Sequence, residues 1–383
     1  MKKILKMTNT LTINRGSNLT DQLILKRPSL HLDYFRDDKE RICQVLTWSQ
    51  PEDKRICIVK YDKGESYWTS RETGIQYQRI LKSYSLEGQM NNLEKVKQIE
   101  PFYFYHSKVY GADFLAVPLS RIKKYYYPED RLKTILERNY NDRLETQVKI
   151  LAELLHDYLH IRFEDMGITG SILWEGQTEK SDIDLMIYGN DYAQTFNSRF
   201  PEIFENSSNI KPMTQDKRQR YEISMSKKSG LPQKITSKYI QMKTWLSVFD
   251  TTDLSMIFSP RPSEIPFQYG DQTFKPINSI DVECTISNSD LGSTYPSIYE
   301  ITDCKVLGET TEEVESSLLR IFSFEGALTG YFTKDDRIVV RGLLEEVIDH
   351  KKNKNFHQII LGTKECNGDE FILFEEDYQK LRK

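Results

Sequence analysis

One stretch of this chain, GITGSILWEGQTEKSDIDLMIYG (167–189), restricts the fold more than any other. An apolar segment closes on Gly170-Ser171. Further on, two aspartates flank a single isoleucine at the head of an apolar run, Asp182-Ile183-Asp184-Leu185-Met186-Ile187-Tyr188. A short apolar run bounded by turn residues reads as a strand. Side chains on a strand alternate faces, so Asp182 and Asp184 project to one side, roughly 6–7 Å apart along the backbone. Two carboxylates at that spacing can share a pair of divalent cations, as in-line attack on phosphorus requires. The Gly-Ser turn adds backbone N–H groups and one hydroxyl where a triphosphate could rest. The chemistry expected of this pattern is nucleotidyl transfer.

The segment resembles the signature of the polymerase-beta-like nucleotidyltransferase superfamily: an apolar residue, Gly-Ser, a spacer, then Asp-apolar-Asp-apolar. Thr169-Gly170-Ser171 and Asp182-Ile183-Asp184-Leu185 are the matching residues, with Thr169 where the family usually has an apolar side chain. The spacer lacks the Arg/Gly pair that many members carry. Three further stretches are similar to a group of archaeal and bacterial proteins with a flanked nucleotidyltransferase core. They are FYFYHSKVYGADFLAVPLSRIKKYYYPEDRL (102–132), EIPFQYGDQTFKPI (264–277) and YPSIYEITDCKVLG (295–308). Together these matches are spread over residues 102–308.

The resemblance implies two Mg²⁺ ions, with Mn²⁺ as a substitute, held by three carboxylates. It implies transfer of a nucleoside monophosphate from an NTP or dNTP to a hydroxyl. Gly170 and Ser171 would then take the β- and γ-phosphates, and Asp182 and Asp184 both metals. Asp253, in TTDLSMIF (251–258), is the first choice for the third acid because it opens an apolar strand at a suitable chain distance. Asp281 with Glu283, in SIDVECTI (279–286), repeats the same-face spacing and is the runner-up. The acceptor stays open: nucleic-acid ends, small molecules, other nucleotides and protein side chains all serve in the superfamily. Because basic and OB-like parts flank the core, a template-independent oligonucleotide product is the leading expectation. Bacterial members of the superfamily are frequent in anti-phage defence and toxin–antitoxin modules, so that product could be a defence effector. Single-nucleotide modification of tRNA or protein, and an inert nucleotide-binding regulator, are the alternatives. A regulatory partner protein is compatible with each.

Charge refines this picture. The net charge of −4 argues against a protein that coats nucleic acid non-specifically. Yet between Lys211 and Lys243 nine Lys/Arg meet only two acids. This segment could hold a triphosphate or a polynucleotide backbone, with Lys217, Arg218 and Arg220 as the candidates, or simply solvate a helix face. The 22 tyrosines are mostly amphipathic packing, though one could stack on a base or accept the first nucleotide in a protein-primed start. Five cysteines without a CxxC pair predict a reducing cytoplasm with neither disulfide framework nor zinc. No segment approaches the ~20 apolar residues of a membrane span.

The pattern along the chain predicts an α+β fold in three parts. Residues 1–130 are β-rich after a polar lead of about thirty residues, with RICQVLTW (41–48) and KRICIVKYD (54–62) as a hairpin. Residues 131–300 form a mixed-sheet nucleotidyltransferase core, entered through helical segments with Val148, Leu151, Leu155 and Leu159 as their stripe. Residues 301–383 form a small C-terminal β domain, with a helix over 310–332 ahead of its strands. Its short strands suggest an OB-like barrel or small sheet that could grip single-stranded nucleic acid through Lys351, Lys352, Lys354, Phe356 and His357. His156 and His160 stand at the i, i+4 spacing of a zinc helix, but Asp157 is one methylene short of the usual glutamate base. That pair reads as surface or helix-packing residues.

Overall fold

Stretches rich in β-branched and aromatic residues assemble three separate sheets, and the helices cover their outer faces, giving an α+β fold. The structure, a computed structural model, describes residues 23–138, 142–309, 311–364, 366 and 368–382. Most of the polar lead therefore lies outside the described residues.

The first sheet has seven strands: β1 (Tyr34–Asp37), β2 (Ile42–Val45), β3 (Lys54–Thr69), β4 (Gln76–Arg79), β5 (Phe104–Ser107), β6 (Ala112–Pro118) and β7 (Ile122–Tyr126). Their order is β5-β6-β3-β2-β1-β7, with β4 appended to β3. The expected hairpin is present as the antiparallel pair β2–β3, with Cys43 opposite Val59. Helix α1 (Leu86–Ile99) starts where the Ser85 hydroxyl accepts the Gly88 N–H, and it buries Leu93 and Val96 on this sheet.

Two helices lead into the second sheet, α2 (Pro128–Glu137) and α3 (Arg143–Leu159). Pro128 opens α2, a position that needs no N–H donor. The Asp142 carboxylate caps α3, and Val148, Leu151, Leu155 and Leu159 form its buried stripe. The sheet runs β10-β11-β12-β9-β8, made of β8 (Met166–Ile168), β9 (Ile183–Tyr188), β10 (Ile210–Pro212), β11 (Ser247–Phe249) and β12 (Thr252–Ser259). Only β9 and β12 are parallel. Between these strands lie α4 (Gly170–Leu173), α5 (Asn190–Arg199), α6 (Pro201–Asn206), α7 (Gln215–Ser229) and α8 (Gln233–Met242).

Alternation on the two parallel strands decides where the chemistry sits. Ile183, Leu185 and Ile187 of β9, with Leu254, Met256 and Phe258 of β12, pack with Leu151, Leu155 and Phe196 from α3 and α5. The opposite face presents Asp184, Met186 and Tyr188 beside Asp253, Ser255 and Ile257. That face is roofed by the first and third sheets.

The third sheet contains β13 (Gln272–Leu291), β14 (Ser297–Val306), β15 (Leu318–Ser323), β16 (Arg337–Asp349), β17 (Lys354–Leu361) and β18 (Phe371–Phe374). Pairing runs β13-β14-β15-β17-β16 and returns from β16 to β13, closing a ring of five strands, with β18 added to β16. The β15–β17 contact is parallel and the others are antiparallel. Residues 272–300, read from sequence as part of the core, run instead in β13 and β14 of this sheet. The helix expected over 310–332 is cut to α9 (Glu312–Ser317), because the following LLRIFS run is buried as β15 between β14 and β17. Its apolar and aromatic side chains gain more from the sheet than from a solvated helix. A last helix, α10 (Glu375–Leu381), packs on β16 and β18.

Two smaller expectations are settled by side-chain contacts. Phe356 is no stacking platform: it is buried beneath the Arg320 guanidinium, whose carbon lies 5.0 Å from its ring centre. His156 donates from Nδ1 to the Ile161 carbonyl and stacks on Phe163, so it closes the end of α3, as the helix-packing reading holds. All five cysteines are free. Among the described residues no helix is long and apolar enough to cross a membrane.

Candidate active site

The turn after β8 is built around one glycine. Gly170 has φ +67°, and a Cβ there would come within 2.6 Å of Asp184 Oδ2. No side chain fits, so the turn lies directly against the carboxylate. The turn is fixed at both neighbours. The Thr169 N–H donates to the Asp184 carbonyl (2.9 Å), and the Thr169 hydroxyl donates to the Leu32 carbonyl (2.8 Å). The polar residue where the resembled family has an apolar one is thus a tie to the N-terminal segment. Ser171 Oγ donates to Ser181 Oγ at 3.1 Å, drawing the spacer back over the turn.

Parallel pairing brings Asp253 to the end of the sheet that carries the aspartate pair. Leu254 is in register with Ile183 and Ser255 with Asp184, so Asp253 lies one residue before this register, at the level of Asp182. Asp182, Asp184 and Asp253 line one cavity of about 880 Å³, together with Gly170, Ser171 and Ser255. Asp184 is half-buried. Burial and the neighbouring charge of Asp182 push its carboxyl up to about 7, against the pull of Lys60, a hydrogen bond from Ser255 and the charge of Arg79. Two acids that repel in this way are stabilised by a cation between them. All three donors are hard oxygens, which suits Mg²⁺ or Mn²⁺.

The third acid is engaged elsewhere: Lys217, on α7, forms an ion pair with the Asp253 carboxylate. Among the described residues no three His, Cys, Asp or Glu side chains converge closely enough to enclose a metal. The hard oxygens of Asp182 and Asp184 suit a divalent cation in kind, and Asp253 would join them only on leaving Lys217.

The first sheet contributes residues that sequence reading missed. Lys60 projects from β3 into the cavity, where its ammonium donates to the Tyr34 hydroxyl at 2.7 Å. It sits 5.3 Å from the ring centres of Tyr34 and Tyr84 and 5.6 Å from that of Tyr61. Burial lowers the ammonium from its usual range, opposed by Asp184. Arg79 of β4 lines the same wall, stacked over Tyr84. Tyr67 and Trp68, with ring centres 4.1 Å apart, stand nearby, and Tyr67 is 67% exposed. The available signal was a lone lysine inside ICIVKY, a run otherwise suited to a buried strand.

The remaining candidates disperse. Arg218 and Arg220 lie on α7 but do not line the cavity, where the helix presents Tyr221, Ser224 and Met225. Asp281 and Glu283 are on β13, away from the cavity, and Asp281 is held by Arg341 through two hydrogen bonds of 2.7 Å. In the C-terminal strip, Lys351 pairs with Asp271 and His357 bonds Ser317 Oγ at 2.7 Å.

Comparison with known proteins adds one relative. An uncharacterised protein of Methanocaldococcus jannaschii is 28% identical over 232 residues, spanning 60% of this chain and 64% of its own length. This chain therefore matches less than two thirds of that relative. No protein-family profile matches the chain, and no solved structure matches it.

Proposed function

We propose that the protein is a metal-dependent nucleotidyltransferase that moves a nucleoside monophosphate from an NTP or dNTP to a hydroxyl. The observation that supports this most is the meeting of Gly170, Ser171, Asp182, Asp184 and Asp253 in one cavity, with Lys60 and Arg79 brought in by another sheet. Two Mg²⁺ ions, or Mn²⁺ in their place, would supply Lewis-acid stabilisation of the reacting phosphoryl group. Asp182 and Asp184 would hold both. Asp253, released from Lys217, would serve the acceptor side and help take up the proton of the attacking hydroxyl. Backbone N–H groups of the Gly170–Ser171 turn would cradle the β- and γ-phosphates, while Lys60 and Arg79 offset their charge. The acceptor oxygen bonds to the α-phosphorus as the bond to the β-phosphate oxygen breaks, and pyrophosphate leaves.

We read the third sheet as an OB-like barrel. Its five-strand ring, with strands ordered first-second-third-fifth-fourth and the third and fifth parallel, supports that reading. Template-independent growth of an oligonucleotide is the overall reaction favoured on this basis. The test offers each of the eight labelled NTPs and dNTPs with Mg²⁺ or Mn²⁺, beside an Asp182→Ala/Asp184→Ala control. A metal-dependent ladder absent from the control supports the reading. A single nucleotide added to tRNA or protein would redirect it to modification, and nucleotide bound without incorporation on any acceptor would overturn it.

A further inference from the structure

The cavity does not end at the carboxylates. On β12 it is lined in turn by Asp253, Ser255 and Ile257, a run of about 13 Å along one face of the strand. It continues to a second lobe walled by His31, Lys243, Tyr295, Phe324 and Thr329, residues drawn from the N-terminal segment, the core and the third sheet. The Ser293–Tyr295 segment is anchored there by a bridge between Thr294 and Phe258, at the end of β12. The chain turns beside it at Gly330, whose φ of +83° favours glycine.

Three polar groups in this lobe keep hydrogen-bonding capacity that no described residue takes up. The Lys243 ammonium lies 4.7 Å from the centre of the Tyr331 ring and makes neither a hydrogen bond nor an ion pair. Burial lowers it to about 8, opposed by the more distant charge of Glu325. Thr329 Oγ1 is buried without a hydrogen-bond partner. His31 Nδ1 lies 2.8 Å from the Leu46 carbonyl and must donate to it, which leaves Nε2 as a bare acceptor. The same imidazole stacks on Tyr295 with ring centres 4.1 Å apart. A buried hydroxyl without a partner is unusual, and beside a half-buried cation and an open imidazole acceptor among aromatic rings it describes a ligand's outline.

The lobe lies on the side that an acceptor must use. The Gly170 turn is on the β8 side of β9, and β12 is on the other. A leaving pyrophosphate over the turn requires the attacking hydroxyl to arrive from over β12, since displacement at phosphorus is in line. We propose that this lobe is the acceptor site and takes a small molecule carrying an anionic group for Lys243 and a flat ring for Tyr295 and Phe324, as a nucleotide does. This rests on the transferase reading for the word acceptor, though not for the ligand.

Nucleoside monophosphates are the probes, with inorganic phosphate and uncharged nucleosides as arms that separate anion from ring. Calorimetry on the full chain, using Asp182→Asn to exclude turnover, is expected to give one site for a monophosphate, weakened at least tenfold by Lys243→Met and by Thr329→Val. In turnover, both variants are expected to raise the acceptor KM at least tenfold and leave the donor KM unchanged. Their melting transitions, compared with that of the parent, establish that each has folded. Binding that is lost in the variants supports the lobe even where no turnover occurs, in which case only the transferase reading fails. Turnover on macromolecules with no monophosphate bound, equal affinity in parent and both folded variants, or equal affinity for inorganic phosphate would overturn it.

Discussion

Asp184→Asn should make the protein more stable while abolishing transfer. The carboxyl is held at about 7 against an ordinary 3.8, so ionising it in the fold is costly. At 1.36 kcal/mol per pH unit, the cost above neutrality has an upper bound of about 4 kcal/mol. Partial exposure screens it, and the variant also removes the counter-charge of buried Lys60. A gain of about 1–3 kcal/mol is therefore expected from an isosteric amide that keeps an acceptor for Ser255. For 383 residues this raises the melting temperature by about 1–4 °C. The sign depends on pH. A carboxyl with a raised folded-state pKa costs nothing below about 4, costs progressively more as pH climbs to about 7, and is constant beyond. Urea titrations in EDTA at pH 4, 6 and 8 should show the variant's advantage opening over that window. Mg²⁺ should then close it by stabilising only the parent chain. An Asn variant equal to or weaker than the parent at pH 8, or a difference independent of pH, would refute the claim that the acids repel.

Three further outcomes follow from the same geometry. Gly170→Ala forces a non-glycine residue to positive φ, about 1–2 kcal/mol, and drives Asp184 from its place; incorporation should fall at least a hundredfold, and parental kcat/KM would contradict the assignment of the turn. Lys217→Ala frees Asp253, so the Mg²⁺ concentration for half-maximal binding should drop roughly two- to fivefold, as expected for a partly exposed ion pair; a rise on metal titration would count against Asp253 as a ligand. His31 is lowered to about 4 by burial, so the unfolded chain takes up a proton first and stability declines as pH falls from about 6.5 to about 4. That loss reaches about 3 kcal/mol, and once Asp184→Asn has removed the opposing carboxyl, adding His31→Gln should flatten the pH dependence of urea midpoints.

The candidate pair was legible because its spacing is local. Gly170-Ser171 and Asp182-x-Asp184 sit on one turn and one strand, and the alternation of a strand fixes their common face wherever that strand lies. Asp253 was legible as an acid opening an apolar strand; only the register of β12 against β9 brings it level with Asp182. Asp281 opens a similar pattern, and Arg341 on a strand some sixty residues later takes it.

Local pattern also determined the α+β class, the β2–β3 hairpin and the buried stripe of α3, since periodicity and turn chemistry act within a few residues. It failed at 318–323, where an apolar run that could continue a helix is claimed by strands on either side. What only the tertiary structure decided is the company the acids keep. Lys60, Arg79, His31 and Lys243 come from segments far apart in the chain, and no periodicity links them to Asp184. They meet because the three sheets must bury their remaining apolar faces against one another. The cavity is the space their side chains leave between those faces.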